Sequence, residues 1–200
     1  MIPALFLIAA VVFFRCTAAV LDDATLRAVA NFSPLAAMAL CSGALFPRKW
    51  ALAVPVAAQV VSDAVIHLLK PHAFHAGYSL LLLACCLALA GMGWALRQRP
   101  TLAKLLLASL GGSLFFYAVT NTAAFWYDPG YEKSMGGWLQ ALTTGVPGYP
   151  PTWMFLLKSL AGDLTFTVLF TLACGVWSLV PEKSLVAVQT STDSAASTLP

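Results

Sequence analysis

Few side chains here are equipped for chemistry, and most stand inside or beside long apolar runs. Asp63 and Asp163 are carboxylates within such runs. A carboxylate in hydrocarbon is expensive and usually faces a bundle interior or a wet cavity. Each reads in two ways. It contacts a substrate or ion, or it makes a structural hydrogen bond: Asp163 to a helix backbone or to Asn121, Asp63 to Lys70 or His67. Asp63 and His67 are four apart and share a helix face. His72 and His75 follow closely. An imidazole in this group can ligate a metal or bond a substrate. The spacing is not HExxH, and no single helix face holds all three. Asp63 with His67 or His75 could also serve as acid and base in an intramembrane enzyme acting on a lipid or on a cofactor's axial ligand.

The other motifs are mostly exclusions. The five cysteines, Cys16, Cys41, Cys85, Cys86 and Cys174, lie in apolar runs without CxxC spacing. They read as small buried hydrophobes, not as a disulfide framework or zinc site. No GxxxxGK[ST] loop occurs, and no Ser/His/Asp triad is legible. Phe125, Trp126, Tyr127, Tyr131, Trp138, Tyr149 and Trp153 form an aromatic group. It reads as a membrane-interface belt or as a stacking surface for a bulky ligand.

The elements that must position these residues are helices in lipid. Hydrophobic residues make up 60% of the 200 and charged residues 10%, against about 45–50% and about 25% in soluble proteins. The key stretch is 111–131, GGSLFFYAVTNTAAFWYDPGY, which follows a basic segment, turns polar at Thr120, Asn121 and Thr122, and ends in aromatics. It reads as a membrane helix with its polar groups near one face. Five further spans are expected at 1–20, 35–46, 51–69, 79–96 and 152–180, the first a retained helix rather than a signal peptide. Ser33 is the expected N-cap of the second span, with Pro34 in its first turn. Pro55 should kink the third. The Gly/Pro-rich connection 129–151 is long enough to be a lid. The fold expected is an all-α integral membrane bundle of six transmembrane helices over 1–182, with a disordered tail at 183–200.

The charge distribution sets an orientation. Arg48, Lys49, Arg97, Arg99, Lys104 and Lys183 fall on one side, and Arg15, Arg27, Lys70 and Lys133 on the other. The positive-inside rule then places both termini in the cytoplasm. The net charge of +3 is small and scattered, which argues against nucleic acid as a partner.

A set of short motifs carries a resemblance: Asn31-Phe32-Ser33-Pro34, Val54-Pro55, Ser62-Asp63, Ser113-Leu114-Phe115-Phe116 with Val119-Thr120-Asn121, and Leu160-Ala161-Gly162-Asp163-Leu164. Over residues 31–180 the chain resembles small bacterial membrane proteins similar to the substrate-binding S components of energy-coupling factor (ECF) transporters, including the solitary vitamin B12 branch. The resemblance implies an S-component-like bundle in the bacterial cytoplasmic membrane that takes up a micronutrient, a corrinoid being the best match. It implies an outward pocket drawn from Asn31, Asp63, His72, His75, Tyr78, Asn121, Trp126 and Tyr127, with Asp163 matching the last helix's GD motif. No intrinsic cofactor is implied, and cobalamin would be cargo. The partners would be the lipid bilayer and, unless the protein is solitary, energy-coupling subunits. The B12 branch has a cysteine near the loop before helix 4. Residues 70–78 here have none, so His75 or His72 would have to supply the cobalt ligand. A non-transporting membrane subunit remains a further alternative.

Overall fold

The computed structural model describes residues 2–20, 34–71 and 75–174, with side chains from residue 8 to 17 in the first stretch. All regular elements among the described residues are helices: α1 (Ile2–Val20), α2 (Leu35–Leu45), α3 (Arg48–Ala51), α4 (Ala53–Leu69), α5 (Ala76–Leu96), α6 (Leu102–Tyr127), α7 (Met135–Ala141) and α8 (Thr152–Ala173). Asn31, His72, the Ser33 cap and the tail at 183–200 lie outside the described residues.

Among the described residues, four helical stretches are long and apolar enough to cross a bilayer: Arg48–Leu69, which takes in α3 and α4, then α5, α6 and α8. Six were expected. The second expected span corrects to α2, whose 11 residues rise only about 16 Å against a hydrocarbon core of about 30 Å. The first, α1, contributes the shorter apolar stretch Ile8–Thr17 among its described side chains.

The short α2 is the centre of the molecule. Ten of its residues, from Leu35 to Ala44, are buried, and it packs against α1, α3, α4, α5, α6 and α8. A helix apolar on every side belongs in an interior. Its most extensive contact is with α5, where two glycines remove the side chains that would hold the backbones apart. A Cβ on Gly43 would stand 2.0 Å from the Ala90 carbonyl oxygen, and one on Gly93 would stand 2.0 Å from that of Leu40. Small residues permit this approach in lipid, where packing rather than water exclusion drives helix association.

Pro55 acts earlier than a mid-helix kink would. It falls in the first turn of α4, and the break lies at Leu52, between α3 and α4. Proline has no N–H to donate to the carbonyl four residues back, here that of Ala51. The Ser42 hydroxyl of α2, which also reaches the Ala39 carbonyl, donates to that oxygen at 2.9 Å. A freed carbonyl in an apolar interior thus keeps a partner.

One end of the bundle is basic. The Arg97 guanidinium donates to the Phe46 carbonyl just past α2, at 3.0 Å. Arg97 and Arg48 both lie over the Trp94 ring, 4.6 and 5.3 Å from its centre. Lys49, Arg99 and Lys104 belong to the same end by position. Thr101 starts α6 by accepting the Lys104 N–H.

Gly93→Val should lower stability by about 3 kcal/mol or more, because the clash is with backbone that cannot swing away. Gly91, beside it on α5, has nothing within 4 Å of a built Cβ, so Gly91→Val should stay within about 1 kcal/mol of wild type. Unfolding in detergent micelles measures both.

Candidate functional site

Asp163 stands half-way along α8, where the N-terminal turn of α2 arrives. The first N–H groups of a helix have no partner within it. The expected N-cap, Ser33, lies outside the described residues. Pro34 occupies the N-cap position with no side-chain bond. Asp163 Oδ1 accepts the Ala37 N–H at 3.2 Å. Its Oδ2 accepts from Ser113 Oγ of α6 at 2.7 Å and from Ser159 Oγ at 3.4 Å. Asp163 therefore caps a helix 126 positions away in sequence and is only 1% exposed. A carboxylate at a helix N-terminus also meets the positive end of the dipole. Below it a hydroxyl seam continues, Thr167 Oγ1 donating to Ser109 Oγ at 3.1 Å.

Beyond the α2 N-terminus the bundle is hollow. A cavity of about 430 Å³ is lined by Leu35 and Ala36 of α2, Arg15 of α1, Tyr78 and Leu82 of α5, Phe116, Tyr117, Thr120, Asn121 and Ala124 of α6, and Phe155, Ser159 and Asp163 of α8. Tyr78 is in the first turn of α5, Asn121 and Ala124 are in the last two turns of α6, and Phe155 is in the first turn of α8. All three positions lie away from the basic end. The half-length helix fills one half of the interior, and the cavity occupies the other.

Arg15 carries a second polar group. Its Nη2 meets Asp63 Oδ1 at 2.7 Å, and its Nη1 donates to Gln59 Oε1. Gln59 Nε2 donates to Asp63 Oδ2 at 3.0 Å, and Ser79 Oγ donates to the same oxygen. Both charged side chains are less than 15% exposed. An ion pair inside a bundle needs such added hydrogen bonds to offset its desolvation. Arg15 was expected at the outer surface. It lies within the bundle, because its partners sit one and a half turns or more inside the end of α4.

Of the expected site residues, Tyr78, Asn121 and Asp163 line the cavity together. Asp63 stands behind the wall and holds Arg15. His75 takes the N-cap position of α5 and is exposed. Trp126 and Tyr127 are 65% and 87% exposed, and neither lines the cavity. Among the described residues, no group of three His, Cys, Asp or Glu side chains is placed to hold a metal ion. The aromatic group divides: Phe125, Tyr131 and Trp138 form a small core with Ala141, while Trp126, Tyr127, Tyr149 and Trp153 face outward as a belt. The rings that meet the cavity are Tyr78, Phe116, Tyr117 and Phe155. Sequence reasoning gave no site role to Arg15, Tyr117, Phe155 or Ser159. The signal for Arg15 was an arginine closing an apolar run, which calls for a carboxylate partner.

The connection 129–151 folds back on α6. Trp138 Nε1 donates to Thr122 Oγ1 at 3.0 Å, and Tyr117, from the cavity wall, donates its hydroxyl to the Leu142 carbonyl at 2.8 Å. Ser134 caps α7 through the Gly137 N–H, and Gly145, at φ 74°, supplies the left-handed turn after it.

A family model described as "Family of unknown function (DUF6580)" matches residues 1–187. The chain belongs to this DUF6580 family. Neither a curated protein nor a solved structure matches it. For this DUF6580 member the site must therefore be read from its own residues.

Replacing Arg15 alone by Met leaves Asp63 unpaired in the interior and should cost about 3–5 kcal/mol. The double change Arg15→Met with Asp63→Leu should recover most of that loss, and a double-mutant cycle in micelles checks it. Burial, and then the Asp128 carboxylate, pushes the Tyr131 phenol above the ordinary tyrosine value. The folded chain thus holds this proton more tightly than the unfolded chain does. Below about pH 10 both states keep it, whereas above that the unfolded state releases it first and stability falls. Melts of wild type and Tyr131→Phe between about pH 9 and about pH 11 should show a steeper decline in the wild type.

Proposed function

We propose that this protein captures a small micronutrient at the membrane surface and takes part in its uptake. The observation that carries the reading is the cavity set above a half-length helix, lined by rings and by hydrogen-bonding groups and built around a buried carboxylate. Side chains this expensive in hydrocarbon mark substrate pathways more often than they mark mere structure. A half-helix whose N-terminus ends at a binding site near the membrane midplane is a recurring transporter device.

The orientation follows from charge. Arg48, Lys49, Arg97, Arg99 and Lys104 gather at the end opposite the cavity. The positive-inside rule puts that end in the cytoplasm of a bacterial cell and the hollow on the outer side of the inner membrane, with both termini cytoplasmic. In this reading α1 and the half-span α2 complete a six-helix, S-component-like bundle. Ala84 and Ala88 remain on the exposed face of α5, which suits close packing of an energy-coupling subunit.

Size bears on the cargo. A cavity of about 430 Å³ is at the lower end of the range of about 300–1,000 Å³ for small-molecule sites. Cobalamin is larger than such a hollow. The corrinoid version therefore requires α7 and its flanking loop to swing away from Tyr117 and Thr122, while a smaller ring-bearing micronutrient fits without that step. The enzyme reading would need an Asp63 carboxylate that is already engaged by Arg15, Gln59 and Ser79.

Expression in a panel of bacterial micronutrient auxotrophs without their own uptake systems should restore growth on one limiting nutrient. Asp163→Asn, which keeps an oxygen for the Ala37 N–H, should weaken the rescue at unchanged membrane abundance. If no strain in the panel is rescued, and the purified protein retains neither cobalamin nor any smaller vitamin, the uptake reading is lost.

A further inference from the structure

We infer that the cavity selects a small organic cation carrying a ring. The inference rests on the capture reading and adds the charge of the cargo. Among the described residues, two charged side chains line the hollow, Arg15 and Asp163. The Arg15 charge is already answered by Asp63 at 2.7 Å, and its other contact is the Gln59 amide oxygen. Among the described residues no cationic side chain is bonded to Asp163: its partners there are the Ala37 N–H and the Ser113 and Ser159 hydroxyls. The α2 N-terminus offsets about half an elementary charge at most. With Asp63 behind the wall counted, the described groups around the hollow carry surplus negative charge, which acts more strongly inside a protein than in bulk water.

The rest of the wall fits the same ligand. Tyr78, Phe116, Tyr117 and Phe155 place four rings around the hollow, and the faces of aromatic rings attract organic ammonium groups, most strongly when these are desolvated. Asn121 gives one amide N–H to the Tyr117 carbonyl at 2.8 Å and keeps its second N–H and an amide oxygen that can accept. Thr120 likewise turns its hydroxyl proton to the Phe116 carbonyl at 2.8 Å. The Thr120 and Asn121 oxygens can thus accept from a ligand that brings donors. An anionic ligand would meet Asp163 with no unpaired cation to compensate for it. Lys158, the cation of α8, does not line the hollow.

The full chain in lipid nanodiscs is titrated by equilibrium dialysis with benzyltrimethylammonium, neutral N-benzylacetamide and anionic phenylacetate. The cation should bind at least tenfold more tightly than either of the others. Asp163→Asn keeps an oxygen for the Ala37 N–H, so it should fold, yet it should weaken the cation at least tenfold and leave the amide unchanged. Phe155→Leu, which touches no cap, should weaken the cation about threefold or more. Equal or tighter binding of the amide or of phenylacetate overturns the charge assignment and leaves capture standing. Undiminished cation binding by both variants overturns it as well. If none of the three probes binds, capture at this cavity fails and the inference fails with it.

Discussion

A short helix that ends inside an apolar bundle leaves its first N–H groups in a medium that offers them nothing. The structure rests on how that is resolved. The Asp163 carboxylate reaches from α8 to the Ala37 N–H, and two serines share its charge. Without an acceptor at that point, α2 could not stop where it does, and no hollow would remain beyond it. Asp163 is thus a cap for one element and part of the wall for another, so what holds the fold and what defines the site meet in one side chain.

The second constraint is closeness. Gly43 and Gly93 let α2 and α5 touch backbone to backbone, and Ser42 meets the Ala51 carbonyl that Pro55 leaves without its usual partner. These contacts fix α2 in height as well as laterally. They are local irregularities, a glycine pair and an early proline, each answered by a neighbour. Such mutual answering across levels is what allows one sequence to specify one arrangement.

The apolar runs and the breaks between them were readable from composition and turn chemistry, and so were the isolated carboxylates that had to face inward. The brevity of the α2 run was visible, yet it was counted among the crossings, and its place at the centre was not legible, because a helix apolar all round gives no face to orient. The Arg15–Asp63 pair spans 48 positions. Nothing local to either residue names the other, since their meeting depends on α1 packing along α4. The aromatic residues misled for a related reason. Trp126 and Tyr127 have the same composition signature as a ligand platform, and only their position at the end of α6 assigns them to the lipid–water boundary. Phe116 and Phe155, embedded in ordinary apolar sequence, line the hollow instead.

The length of α2 works as a ruler. Its top forms the floor of the chamber, and its base is pinned by the glycine contact and by Arg97 at the Phe46 carbonyl. Each added turn would raise that floor by about 5.4 Å and shrink the room above it, with the outer scaffold of α4, α5, α6 and α8 unaltered. One internal dimension would in this way set the room in the hollow, while the outward-facing surfaces of the scaffold stay the same.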